Sequence, residues 1–156
     1  MTKVPITRTG YRKLLRELLH LRRVIRPRVL EELQEARAFG VKIENQQYML
    51  ARERHAVLQK RIRDIEERLS ICEIVVGWKY YVNQVGFGTV ATVQNIDTGE
   101  KYRYQMVGPY ESDVMDGKLS VESPVGRCLM GHYEGEEVTV YAPAGIRIYR
   151  ILTVQT

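Results

Sequence analysis

Residues 51–72 read ARERHAVLQKRIRDIEERLSIC. Ala51, His55, Leu58, Ile62, Ile65, Leu69 and Cys72 recur in it at alternating steps of four and three. On a helix that spacing draws one narrow apolar seam and leaves charge on the remaining faces. Such a seam is buried only against a second helix, and the chain upstream supplies one. Leu14, Leu18, Leu21, Ile25, Val29, Leu33 and Ala36 recur at three or four within residues 11–39, again a single stripe. Thr7 is placed to cap the start of this first helix. Pro27 lies within it, removes one backbone hydrogen bond and predicts a bend. Gly40 suits a left-handed helix end, and the few residues after it suit a tight connection. Two seams joined by a short turn predict an antiparallel coiled-coil hairpin. About 30 residues at 1.5 Å rise make an arm of roughly 45 Å. His55, on the seam, reads as a packing residue.

After about residue 74 the apolar period changes to two. VVGWKYYV is followed by GTVATVQNI, then Asp97-Thr98-Gly99, then KYRYQMVG; a short polar turn with glycine between alternating runs predicts a β-hairpin. In SPVGRCLMG, Ser123 is placed to cap a short helix and Pro124 to occupy its first position. EEVTVYAP and GIRIYRILTV read as two further strands, interrupted by Pro143 and Gly145. Gly86-Phe87-Gly88 stands before a strand, not at the opening of a helix, and reads as a bulge or bend. The ten tyrosines fall mostly in this half and read as core and sheet-face residues. The expected fold is α+β: a coiled coil over residues 1–75, then a small antiparallel sheet with one short helix over residues 76–156.

Charge divides the same way. Residues 1–75 hold 17 Lys+Arg and 10 Asp+Glu, or +7; residues 76–156 hold 7 and 9, or −2. The basic half suits an anionic partner, nucleic acid first among them. No apolar run is long enough to span a membrane, and MTKVPITRTG lacks the pattern of a signal peptide, so a cytoplasmic location is expected. Cys72 and Cys128 match no metal or redox spacing. His20, His55 and His132 are not spaced to pair with each other or with a cysteine, and no nucleophile–base arrangement emerges. A self-contained active site is not expected.

Several stretches together resemble the bacterial GreA/GreB transcript cleavage factors, and the resemblance covers nearly the whole chain. ITRTGYRKLLREL is similar to the family's opening helix and VIRPRV to its proline-containing segment. EARAFG, EN, Y and ARER resemble the hairpin tip, typically A-R-x-x-G-D-L-x-E-N-x-E-Y-x-x-A-R-E. VGPYESDVMDGKLSVESPVGRCLMGHYEGEEVTVYAPAG resembles the C-terminal signature. The resemblance implies a C-terminal domain like the FKBP prolyl isomerases. It implies docking on bacterial RNA polymerase by that domain, and insertion of the coil into the secondary channel toward the nascent RNA 3′ end. The chain would be a monomeric accessory factor without catalytic residues of its own and without a membrane partner. Family tips carry two acids that help hold a magnesium ion, while the polymerase performs the hydrolysis.

By that resemblance the tip residues are Val41, Lys42, Ile43, Glu44, Asn45 and Tyr48. Gly40, Asn45 and Tyr48 keep the shape, but Val41 stands where the family has Asp. GVKIEN therefore has no net charge. Magnesium takes hard oxygen ligands, so Glu44 remains as a weak magnesium contact shared with the polymerase, beside the positive Lys42. The implied role is a channel-binding regulator with weak or no stimulation of cleavage; the alternative is an active cleavage factor. Arg37 and Arg52 match the family's RNA-contacting arginines, or else pair with a glutamate one turn away. Asp113, Glu122, Ser123 and Pro124 match the polymerase-docking signature. A prolyl isomerase would leave the arm unexplained, and a free-standing nucleic-acid binder would need no polymerase.

Overall fold

The computed structural model describes residues 3–38, 45–75 and 82–156. Gly40, Val41, Lys42, Ile43 and Glu44 of the tip, and most of the VVGWKYYV run, lie outside the described residues. The chain forms two compact units, Tyr11–Ile71 and Met1–Gly10 with Cys72–Thr156. Val4–Ile6 pair with Cys72–Ile74, so this short strand lies in the same compact unit as the main sheet.

In the helical unit, the predicted first helix is three segments: α1 (Arg8–His20), a π-helical turn (Leu21–Ile25) and α2 (Arg26–Arg37). The π turn explains how Pro27 is tolerated. A proline ring clashes with the carbonyl four residues back and donates no bond to it. Here the ladder has already widened, with the Arg26 N–H donating to the Leu21 carbonyl, five residues back. Pro27 then stands in the first turn of α2, where its missing donor costs least.

The partner helix α3 spans Gln46–Ile71. Leu58, Ile62 and Ile65 of its seam are buried, Ile65 completely, and Ala51 packs with Tyr48 and Ala36. Ion pairs Arg54–Glu32 and Arg22–Glu66 follow an antiparallel register. Glu17 instead meets Arg61 at 2.7 Å, not a residue near 71, so the register changes across the π turn.

In the β unit, β1 (Val4–Ile6) and β2 (Cys72–Ile74) form a two-stranded parallel sheet, Val4 opposite Cys72 and Ile6 opposite Ile74. The main sheet comprises β3 (Val90–Asn95), β4 (Lys101–Val107), β5 (Lys118–Ser120), β6 (Glu137–Ala142) and β7 (Gly145–Gln155), in the order β5-β4-β3-β7-β6. The expectation of a wholly antiparallel sheet is corrected: β5 runs parallel to β4. The intervening residues 108–117 contain two short 3₁₀ turns, and so return the chain to the same end of the sheet.

The β3–β4 hairpin is as predicted. The Asn95 Oδ1 accepts from the Asp97 and Thr98 N–H groups, and Gly99 takes φ +76°, a conformation glycine adopts without steric cost. Gly86-Phe87-Gly88 is a turn: Gly88 has φ +86°, and the Thr89 hydroxyl bonds both the N–H and the carbonyl of Gly86. Helix α4 (Pro124–Leu129) contributes the fully buried Leu129 to a core with Val93, Met106, Val140 and Ile151. Tyr102 and Tyr104 stack at 5.8 Å and pack against that core. Burial chiefly pushes the Tyr104 hydroxyl up from its ordinary pKa, whereas a hydrogen bond to Glu100 does so for Tyr102.

Backbone contact at Gly126 leaves no room for a side chain, since a Cβ there would lie 2.0 Å from the Ser120 carbonyl oxygen. Gly126→Ala is expected to destabilise the β unit by about 1–3 kcal/mol through overpacking, read as a lower urea midpoint for loss of amide protection at Leu129 and Ile151.

Candidate functional site

Two groups of residues carry the expected functional positions, one in each unit. At the distal end of the helical hairpin, Asn45 is the first described residue after the tip. Its Oδ1 accepts from the Tyr48 N–H at 3.1 Å, capping α3. Its Nδ2 donates to the Ala36 carbonyl in the last turn of α2 at 3.1 Å. One amide side chain thus satisfies an orphan donor of one helix and an orphan acceptor of the other. Tyr48 is buried against Ala36 and Ala51, with Leu33 beside them. The described ends of α2 and α3 are thereby joined by the Asn45 amide and the buried Tyr48.

Arg37, at the end of α2, and Arg52, one turn into α3 from Tyr48, are both exposed. Arg52 borders a shallow recess of about 540 Å³ lined by Gln46, Met49, Leu50, Glu53 and Ala56. Met49 and Leu50 are exposed and were not anticipated. Their signal was available, because they lie off the seam defined by Ala51, Leu58 and Ile62. Val41, Lys42, Ile43 and Glu44 lie outside the described residues. Among the described residues no group of three or more His, Cys, Asp or Glu could hold a metal ion.

In the β unit, Asp113, Glu122, Ser123 and Pro124 flank the two ends of the edge strand β5. Before it, Asp113 exchanges both backbone hydrogen bonds with Lys118, at 2.9 and 2.8 Å. After it, the Ser123 hydroxyl donates to the Ser120 carbonyl at 2.6 Å and accepts from the Gly126 N–H at 3.0 Å. Ser123 therefore caps α4, and Pro124 opens it. Asp113, Glu122 and Pro124 are exposed. Val114 and Met115, missed in the sequence reading, are 60% and 98% exposed. Their signal was an apolar pair between two aspartates in a turn, where nothing internal needs them. Exposed apolar atoms rimmed by acid can meet a partner that is apolar at its centre and basic around it.

Comparison with known proteins addresses both units. Residues 4–74 match the family model described as transcription elongation factor, N-terminal, and residues 81–156 match transcription elongation factor, GreA/GreB, C-term. The chain belongs to the GreA/GreB transcription elongation factor family. Transcription elongation factor GreA of Syntrophobacter fumaroxidans is 40% identical over 155 residues, covering 99% of both chains. GreA of Methylococcus capsulatus is 41% identical over 156 residues, again 99% of both. Among solved structures, the GreA factor homolog Gfh1 of Thermus thermophilus aligns over 99% of each chain at 27% identity, with a TM-score of 0.45. Both the helical hairpin and the β unit of this Gre-family chain thus have counterparts in the family models. No described helix is long and apolar enough to cross a membrane.

Asn45→Ala removes both hydrogen bonds at the base of the tip and is expected to cost roughly 1–2 kcal/mol. Amide exchange at residues 46–51 should accelerate while that at 124–151 stays unchanged.

Proposed function

We propose that this protein binds bacterial RNA polymerase as a monomeric, cytoplasmic accessory factor. It docks by its FKBP-like C-terminal domain, residues 76–156, through the surface around Asp113, Glu122, Ser123 and Pro124. It presents the end of the helical hairpin in the secondary channel, close to the nascent RNA 3′ end, with Arg37 and Arg52 toward the RNA phosphates. It stimulates transcript cleavage weakly or not at all. The observation that carries this reading is the pairing of family membership across both halves with a tip that reads GVKIEN.

The chemistry of that tip follows from its donor set. Magnesium takes oxygen ligands at short distance in near-octahedral order. Val41 offers none, Glu44 offers one carboxylate, and Lys42 places a positive charge beside it. This set does not make the paired-acid site that the family's tip carries, so the tip does not supply a second magnesium ion on its own. What Glu44 retains is a weak contact with an ion otherwise held by polymerase and RNA. The clamp formed by Asn45, Tyr48 and Ala36 supports the rest of the reading: the described ends of the two helices are held together at the base of the tip. The protein would then occupy the channel, exclude cleavage factors and change pausing. One observation favours the second reading, an active cleavage factor: identity of 40% or more to proteins named GreA over nearly the full chain.

Backtracked elongation complexes with a labelled RNA 3′ end separate the two. The wild-type protein should leave the RNA close to its intrinsic cleavage rate, and Val41→Asp should raise the rate by roughly tenfold or more, the scale of about 1.4 kcal/mol in ion occupancy. Rapid shortening by the wild type that is lost in Glu44→Ala would establish the second reading instead.

A further inference from the structure

The main sheet has two faces, and one of them belongs to the core. Val93, Met106, Val140 and Ile151 lie on that face. Side chains alternate along a strand, so the residues between them form the opposite face, and the pairing register lines those residues up. Tyr141 on β6 stands opposite Ile146 on β7, and Thr139 opposite Ile148. The Ile96 N–H, just past β3, donates to the Ile148 carbonyl at 3.0 Å. In the next row Lys101 on β4, Gln94 on β3, Arg150 on β7 and Glu137 on β6 lie side by side. Arg103 follows along β4, opposite Thr92. The far face is therefore apolar near the β6–β7 turn and cationic beside it.

Neither part of this face has an internal use. Tyr141 and Ile146 remain 75% and 63% exposed although they face each other across the hairpin, and Ile96 is 41% exposed. A cross-strand pair steadies a hairpin; it does not account for a third exposed apolar residue beside the pair. The charge of Arg150 is met by Glu137 at 2.6 Å. Among the described residues no carboxylate pairs with Lys101 or Arg103, and Arg103 meets the neutral amide of Gln155 at 3.5 Å. These two cations stand in a half with 7 basic and 9 acidic residues. The positive face is thus a local arrangement and not a consequence of net charge.

We propose that the far face of the sheet, at its β6–β7 end, is a docking surface for a protein segment that carries apolar anchors beside acidic side chains. Tyr141, Ile146 and Ile148 receive the anchors, and Lys101 and Arg103 receive the acids. A nucleic-acid strand fits this face less well. Its bases stack on aromatic rings, and Tyr141 is the single ring among residues that are otherwise isoleucines. A second copy laid face to face would set Lys101 and Arg103 against like charge. The sheet order puts β6 at the opposite edge from β5, roughly 19 Å away at four strand spacings. The surface is therefore separate from the one around Asp113 and Pro124, and the proposal does not depend on the polymerase reading.

The probe is a fluorescein-labelled synthetic peptide with leucine and phenylalanine in one half and aspartate in the other, titrated into the full chain and followed by anisotropy. Binding should saturate, and it should weaken by roughly tenfold in Tyr141→Ser/Ile146→Ser and in Lys101→Glu/Arg103→Glu. Added salt should shrink the loss in the charge variant and leave the loss in the apolar variant as it is. Met115→Ser, at the β5 edge, should bind as wild type does. The same peptide with lysine for aspartate should bind roughly tenfold more weakly. Amide protection at Val93 and Ile151 reports the fold of every variant; Ile96→Ser, outside the strand ladders, repeats the apolar test where the double variant loses that protection. Absence of saturable binding, equal binding of the lysine peptide, or an equal loss in Met115→Ser would overturn the proposal. So would tighter binding of polyuridylate through the same residues, which would assign the face to nucleic acid. Sedimentation of the free chain as an oligomer that Ile146→Ser returns to monomer would overturn it in favour of a second copy.

Discussion

A helical hairpin with only two helices has one interior, the line where they touch. Everything else about the helical unit follows from that constraint. Leu58, Ile62 and Ile65 on α3 take the buried positions, and Ala36, Tyr48 and Ala51 close the distal end. Burying each larger apolar side chain contributes about 1.5–3 kcal/mol. The cross-helix ion pairs Arg22–Glu66, Arg54–Glu32 and Arg61–Glu17 are each more than a third exposed, and pairs of that kind contribute about 1 kcal/mol or less. The seam therefore supplies the stability and the ion pairs refine the register. Most faces of these helices have nothing to bury, so they are free to carry charge. That freedom is where the excess of 17 basic over 10 acidic residues in the first 75 positions resides. The structure accommodates a basic surface at little cost, which makes the charge available for work on an anionic partner.

The β unit is organised by closeness of backbone to backbone, not by bulk. Gly108 lies against Pro5 and Gly126 against Ser120, each without room for a Cβ. These contacts join the small parallel β1–β2 pair and helix α4 to the main sheet. Between them runs β5, an edge strand of three residues. Short edge strands limit unwanted pairing with other chains. Both ends of β5 are occupied by local hydrogen bonding, through Asp113 before it and Ser123 after it. An edge treated in this way is poor at strand addition. It leaves side chains such as Val114, Met115 and Pro124 as what a partner would meet. The capping role of Ser123 and a docking role for the same turn are therefore compatible: the cap sets the shape that is presented.

The features legible in the sequence were those fixed by local chemistry or by a long period. The α3 seam, the Thr7 and Ser123 caps, the Asp97-Thr98-Gly99 turn and the alternating strands all express themselves within a few residues or repeat many times. The features that escaped depend on distant partners. β1 is only Val4, Pro5 and Ile6, too short for a period, and its identity comes from Cys72–Ile74. The parallel β4–β5 pair needs the return path through 108–117. The π turn could not be read as such, because Leu21 and Ile25 fit an ordinary helical stripe as well; only Pro27 announced that something had to give. Glu111, which accepts from the N–H and hydroxyl of Thr7 and from the Gly108 N–H, was invisible for the same reason as β1. Nothing within its own neighbourhood marks it apart from any other acid. At the candidate site, Asn45 and Tyr48 were legible from the resemblance, whereas the recess beside Arg52 and the exposed Met115 emerge only once burial is known.

The geometry at the base of the hairpin bears on how a tip can change its chemistry without losing its form. Asn45 caps α3 and reaches the last turn of α2, and Tyr48 fills the space between Ala36 and Ala51. None of these contacts involves a carboxylate. An aspartate offers magnesium oxygen ligands that a valine does not. Selection on the framework and selection on the metal chemistry therefore act on different residues. The described ends of α2 and α3 are thus joined by an asparagine, a tyrosine and two alanines, none of them acidic.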